Sequence, residues 1–199
     1  MSVNVIKVNP LQMLGPKIEI PVPKKGWIAG GAIRRWFAGG EPLSDVDCFF
    51  QNEQAFLDHV NEVLQHGAKL INTHKNAVTF ELNDVLVQLI KIKFHPTVES
   101  LLDSFDFTVC QFAWDGTEIY STPQAVISTL RKHLGAHILT KEFSVDSLRR
   151  AFKYCKKGYH PCNGTVQQIA NSLRTLTEAE IQQAVEISPN GGKRIIRVD

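Results

Sequence analysis

Residues 26–50 read GWIAGGAIRRWFAGGEPLSDVDCFF, and the order of elements in this stretch decides the fold. Trp27-Ile28-Ala29 is a short apolar strand that runs into Gly30-Gly31. AIRRWFA then has the spacing of a short helix, closed by Gly39-Gly40, and a second strand is expected over Asp45 to Phe50. A strand that enters a helix through two glycines brings free backbone N–H groups and a positive helix end close to an anion, with no Cβ in the way. Such a turn suits a phosphate. On the following strand, Asp45 and Asp47 stand at i and i+2, so both carboxylates share one face about 6.5–7 Å apart while Val46 and Cys48 face the other way. Paired hard oxygens of this kind suit a divalent cation.

Working outward, residues 1–23 are broken by prolines at 10, 16, 21 and 23 and read as an irregular lead-in over a sheet edge, with strand-like pieces at 3–8 and 18–22. Residues 52–66 repeat Phe56, Val60, Val63 and Leu64 at helical spacing. Strands are expected over 68–73, 77–82 and 85–93, the last two joined tightly at Asn83-Asp84, giving a sheet at least four strands wide. A helix over 96–105, a strand over 107–114 and a helix over 123–134 follow. Helical pieces near 144–157, 164–174 and 177–186 come last, with a tail at 187–199. Strands first and helices last predict an α+β head domain over 1–140, with a mixed sheet flanked by helices, and a small helical lobe and tail over 141–199.

The 199 residues are 43% hydrophobic and 21% charged, which suits one ordinary core or two small lobes and excludes collagen, coiled-coil and wholly disordered chains. No apolar run reaches the roughly 18–20 residues of a membrane span, and the first 17 residues lack the apolar core of a secretory signal. Four cysteines in a chain of this length imply reduced thiols rather than a disulfide framework. A soluble, cytoplasmic protein with no membrane partner is the expectation.

Net charge is only +2, yet residues 131–160 carry eight Lys or Arg against two acids. Arg149, Lys153, Lys156 and Lys157 fall on one face of the helix expected there, a candidate RNA or polyphosphate surface. Its apolar stripe is read as Leu148, Ala151, Phe152, Cys155 and Tyr159. Cys155, His160 and Cys162 lack the spacing of a paired zinc site, and Cys155 is expected to be buried. Trp27, Trp36 and Trp114 are expected in the core or the cleft wall.

The glycine pair with Arg34, a short helix, a glycine break and Asp45-Val46-Asp47 together resemble the head of the DNA polymerase β-like nucleotidyltransferases, in particular class II CCA-adding enzymes and bacterial poly(A) polymerases. The pattern there is G-G-x-x-R-D followed by D-x-D. Residues 105–115, FDFTVCQFAWD, are similar to the strand that contacts the nucleotide's sugar in those enzymes, and residues 148–159 are similar to the helix that follows their head. The resemblance spans about residues 26–160. It implies transfer of a nucleoside monophosphate from an NTP to a hydroxyl acceptor, an RNA 3′ end ahead of a protein or small molecule. Asp45 and Asp47 would be the catalytic and metal-binding acids, holding Mg²⁺ or Mn²⁺, and Gly30, Gly31, Arg34 and Asp106 would bind the nucleotide.

Departures from the pattern define an alternative. Arg35 replaces the acid after the arginine, Phe105 replaces the arginine before Asp106, and Cys110 replaces the sugar-contacting asparagine. Gln88 stands where those enzymes place a third carboxylate, and an amide neither carries the charge nor accepts the proton. The helical end also lacks the E-D-x-x-R motif that selects the base in CCA-adding enzymes. The alternative is a catalytically silent fold that binds nucleotide or RNA, or serves assembly.

Overall fold

The computed structural model describes residues 3–9, 20–39 and 45–186. Its centre is an eight-stranded mixed sheet ordered β1-β8-β7-β2-β3-β6-β5-β4. The strands are β1 (Ile6–Val8), β2 (Gly26–Ala29), β3 (Asp45–Phe50), β4 (Lys69–Thr73), β5 (Ala77–Leu82), β6 (Val85–Ile90), β7 (Phe112–Trp114) and β8 (Ile119–Ser121). β3 and β6 run parallel and the other neighbours antiparallel. The fold is α+β, as expected.

One face of the sheet carries the main core. Alternate residues Val46, Cys48 and Phe50 of β3, Val87 and Leu89 of β6, and Phe80 and Leu82 of β5 are buried there. They pack with α1 (Gly31–Ala38), α2 (Glu53–Gln65) and α4 (Pro123–Leu130). Helix starts are defined by side chains: Asn52 accepts from the Ala55 N–H, and Thr122 accepts from the Ala125 N–H ahead of Pro123. On the other face, α3 (Val98–Leu102) packs around β2 and β7, where Leu101 and Leu102 meet Trp27, Ala29 and Ala113, with Phe49 of β3 and Tyr120 of β8 partly buried against them. Further along that face the outward residues Asp45 and Asp47 of β3, Gln88 of β6, and Thr79 and Glu81 of β5 are only partly buried and make up the cleft face. Gly26 permits the tight β2–β3 contact, since a Cβ there would lie 2.1 Å from the Phe49 carbonyl oxygen.

The C-terminal helices are α5 (Ser144–Lys156), α6 (Asn163–Arg174) and α7 (Glu178–Glu186), with a two-stranded parallel pair of β9 (His133–Leu134) and β10 (His160–Pro161). A second core joins Phe107, Val109, Cys110 and Leu134 to Ala151, Tyr154, Tyr159 and Ile169, so residues on both sides of the expected 140/141 boundary share it.

Several local expectations change. The helix over 96–105 shortens to α3, with a reciprocal Thr97–Ser100 cap at its start. The strand over 107–114 is broken by a 3-10 turn at Thr108–Cys110, and the helix over 123–134 stops at Leu130 before Lys132 takes a positive φ. On α5, Ser144, Ser147, Ala151 and Tyr154 face inward, while Phe152 and Cys155 are exposed. The serines lie inside because their hydroxyls are bonded there: Ser144 donates to the Thr140 and Lys141 carbonyls and Ser147 to Asp106. The tail, Gly40 of the glycine break, and residues 18–19 of the piece at 18–22 lie outside the described residues.

Candidate functional site

β2 ends at Ala29, directly opposite Asp47, and Gly30 begins the turn. Gly30 has φ +79° and donates its N–H to the Phe112 carbonyl at 2.8 Å. A Cβ on Gly30 would lie 4.0 Å from Asp47 Oδ2 and 3.8 Å from the Phe105 ring. The glycine turn and the second carboxylate therefore meet at one point. Gly31 opens α1, and a Cβ there would lie 3.2 Å from Arg35 Nη1.

Asp45 and Asp47 alternate with fully buried Val46 and Cys48, which places both acids on the cleft face. The parallel register aligns Asp45 with Leu86 and Asp47 with Gln88, and β5 sets Thr79 beyond Gln88. One row across the cleft thus runs Ala29, Asp47, Gln88, Thr79, with Gln88 the immediate neighbour of Asp47. Glu81 is two strands from Asp45 in the adjoining row. Burial, and then the Asp45 charge, push the Asp47 carboxyl up to about 6, against Arg150, Lys153 and Arg35. Like charges held this close suit a divalent cation. The two carboxylates would serve one ion, and Gln88 offers only a neutral oxygen where a second ion would need charge. Among the described residues no three His, Cys, Asp or Glu side chains gather as a metal cluster.

The arginines of α1 point away from open solvent. Arg34 is 1% exposed, and its guanidinium lies 5.1 Å from the ring centres of both Tyr154 and Tyr159. It joins α1 to α5 and to Tyr159 just beyond that helix. Arg35, also buried, donates from Nη2 to the Asp45 carbonyl at 3.1 Å and stands 3.8 Å from Asp45 Oδ1. The basic residue at the family's acidic position thus holds the start of β3.

Asp106 is turned to α5. Its Oδ2 accepts from Arg150 Nε at 3.0 Å and from Ser147 Oγ at 3.1 Å. Arg150 Nη2 also lies 3.0 Å from Cys110 Sγ, which is 3.0 Å from the Tyr154 hydroxyl. Burial raises the Cys110 thiol and pushes the Tyr154 phenol well above its usual range, so both are neutral. Arg150 was not among the residues singled out from the sequence. Its signal was the arginine pair at 149–150, of which the expected basic face claimed only Arg149.

Of that face, Lys153 and Lys156 are exposed, Lys157 is half-buried, and Arg149 meets Asp146 at 2.9 Å. Lys153 acts electrostatically on Asp47, which links the basic face to the cleft. A separate hollow of about 500 Å³ near Lys24, Trp27 and Asp115 lies at the opposite end of β2. Asp115 is occupied there by the N–H groups of Thr117 and Glu118 and the Tyr120 hydroxyl. No described helix is long and apolar enough to cross a membrane.

This sheet, with a glycine turn and an acid pair at one end, is the nucleotidyltransferase fold. The CCA-adding enzyme solved with ATP matches 81% of this chain and 42% of its own, at TM-score 0.60 and 15% identity. The Thermotoga maritima CCA-adding enzyme in complex with tRNA matches the same shares at 0.56 and 16%. The Bacillus stearothermophilus CCA-adding enzyme in complex with CTP matches at 0.55 and 19%, over 81% of this chain and 44% of its own. At these identities the likeness concerns the fold alone. The chain belongs to the Gabija anti-defense 2 family, whose model matches residues 12–132. Its relative "Gabija anti-defense 2" from Bacillus phage SPbetaL7 is 32% identical over 137 residues, 66% of this chain, which spans about a third (33%) of that relative's length.

Proposed function

We propose that this protein binds a nucleoside triphosphate where the glycine turn meets Asp45 and Asp47, and transfers the nucleoside monophosphate to a hydroxyl, an RNA 3′ end being the acceptor that suits the basic α5 face. The activity would serve the counter-defence role carried by its family's name. The convergence of Gly30 with Asp47 Oδ2 supports this reading most directly.

Gly30 and Gly31 let the phosphates approach the backbone, because neither presents a side chain to the turn. Arg150 and Lys153 contribute positive charge to the same place. Asp45 and Asp47 would hold one Mg²⁺ or Mn²⁺, which when bound offsets the charge of the triphosphate and its pyrophosphate leaving group. In the transfer, the acceptor oxygen bonds to the α-phosphorus as the bond from that phosphorus to the pyrophosphate oxygen breaks. The hydroxyl proton goes to solvent, since Gln88 cannot take it.

Gln88 beside Asp47 favours a second reading, a silent nucleotide-binding module. Incubation with each labelled NTP, Mg²⁺ or Mn²⁺, and RNA separates the two. Label should enter RNA with the wild type and not with the Asp45→Asn/Asp47→Asn protein, which should also lose the thermal shift given by NTP and metal. Nucleotide binding without transfer to any acceptor selects the second reading. A thermal shift that survives the double change places the nucleotide elsewhere and ends both.

A further inference from the structure

We propose that the outward face of α5 is a binding site for single-stranded nucleic acid, in which the Phe152 ring stacks on a base while Arg149, Lys153 and Lys156 follow the phosphates. The proposal deepens the acceptor half of the function above and rests on that acceptor being RNA.

Phe152 is 62% exposed in the middle of a 13-residue helix that has a well-filled buried face. A lone exposed apolar residue is ordinary. The surroundings of this one are not. At about 100° per residue, Lys156 and Arg149 lie about 40–60° to one side of Phe152, one turn toward either end of the helix, Lys153 and then Arg150 lie beyond them, and Leu148 and Cys155 lie on the other side. Arg150 and Lys153 both act electrostatically on Asp47, so the charge of this face is felt at the acid pair. Asp146 is the acid on this face, and it is engaged by Arg149 at 2.9 Å.

A flat exposed ring bordered by cations fits a strand whose bases are free. Every base has a face to stack, and stacking on an aromatic side chain needs no particular sequence. Paired bases hide those faces, and the major groove of an RNA duplex is too deep and narrow for side chains to read. An acidic protein would satisfy the cations but has no need of the ring. The charge and the ring together therefore select a single strand.

The test is fluorescence anisotropy of a labelled 12-nucleotide RNA with the full chain, without NTP or metal. Wild type should bind, a duplex of the same length should compete poorly, and Phe152→Ala and Phe152→Leu should both bind about 5- to 100-fold more weakly. Leucine keeps the apolar bulk, so its loss isolates stacking. Phe152→Trp should bind as wild type does, and its tryptophan emission should be quenched by the strand. These variants alter an exposed position, and equal melting temperatures confirm their folding. Binding by Phe152→Leu equal to wild type, equal competition by duplex, or no strand binding at all overturns the proposal. So does a sedimentation shift to dimer that Phe152→Ala abolishes, which would make the face an interface between copies. The NTP thermal shift, measured on the same proteins, should be unaffected by Phe152→Ala. Its absence from wild type while strand binding holds would refute the nucleotide reading and leave this one standing.

Discussion

Changing Gln88 to Glu should make the protein less stable without metal and more stable with it. Gln88 and Asp47 are register partners on parallel strands, whose backbones are about 4.8 Å apart. A carboxylate at 88 would thus sit about 5–6 Å from that of Asp47. With an effective dielectric constant of about 20, two such charges repel by about 3 kcal/mol. Arg150 and Lys153 offset part of this, and both positions are only partly buried, so a net cost of about 1–2 kcal/mol is expected. For a chain of this size that is a fall of about 2–8 °C in Tm. The same charge should tighten Mn²⁺ by tenfold or more, and ligand linkage then raises Tm above wild type at high Mn²⁺. The assay is a pair of melting curves for each protein, in chelator and across a Mn²⁺ titration, with Gln88→Met as the uncharged control. The two Tm values should cross. Equal stability in chelator together with equal Mn²⁺ response would refute the reasoning, because it would mean that side chain 88 does not share the cleft with Asp47.

Three further outcomes follow from named contacts. Arg34→Met removes the cation held between two tyrosine rings and should cost about 2–4 kcal/mol in urea unfolding, with NTP binding retained where both proteins are folded; the opposite pattern would return Arg34 to the cleft. Cys162 has its thiol lowered to about 6 by the Thr165 hydroxyl and N–H, His133 and the Gly164 N–H. Since only the thiolate alkylates, its rate, followed by mass spectrometry of its own peptide, should be flat above about pH 7 and fall about tenfold per unit below pH 6; a rate still rising through pH 8 would mark an ordinary thiol. Replacing Lys153, Lys156 and Lys157 by Gln should lower the salt-dependence slope of RNA binding by about 2, and an unchanged slope would leave these lysines as solvated charge.

The elements that position the site were legible because each has a strong local cause. Alternation in DVDCFF places acids on one face and apolar side chains on the other, and the structure alternates likewise. The turn at Asn83-Asp84 and the parity of β6 put Gln88 on the cleft face, as expected. What stayed hidden depended on partners distant in the chain. Nothing within residues 26–50 tells Arg34 that two tyrosines more than a hundred residues later will enclose it. On α5, hydrophobicity alone favoured Phe152 and Cys155 as buried, whereas serines occupy the inner face because Asp106 and the Thr140 carbonyl accept their hydroxyls. Asp106 likewise looks like a nucleotide contact until Arg150 arrives from α5. Thr108–Cys110, apolar enough for a strand, turns because Val109 and Cys110 are taken into the second core while the Thr108 hydroxyl is bonded to Ser128 and the Gly135 carbonyl.

The Asn83-Asp84 turn has a consequence for how this cleft can change over generations. Both residues have positive φ, 51° and 59°, in a two-residue connection that closes Leu82 against Val85. Side chains alternate along β6, so an insertion or deletion of one residue here, if the turn re-forms, exchanges every inward position for its neighbour. Val87 or Leu89 would then stand beside Asp47, and Gln88 would be forced into the apolar core among Val46 and Phe80. Lineages can therefore vary the chemistry at 88 by substitution, but length variation at this turn is closed to them unless it comes in pairs.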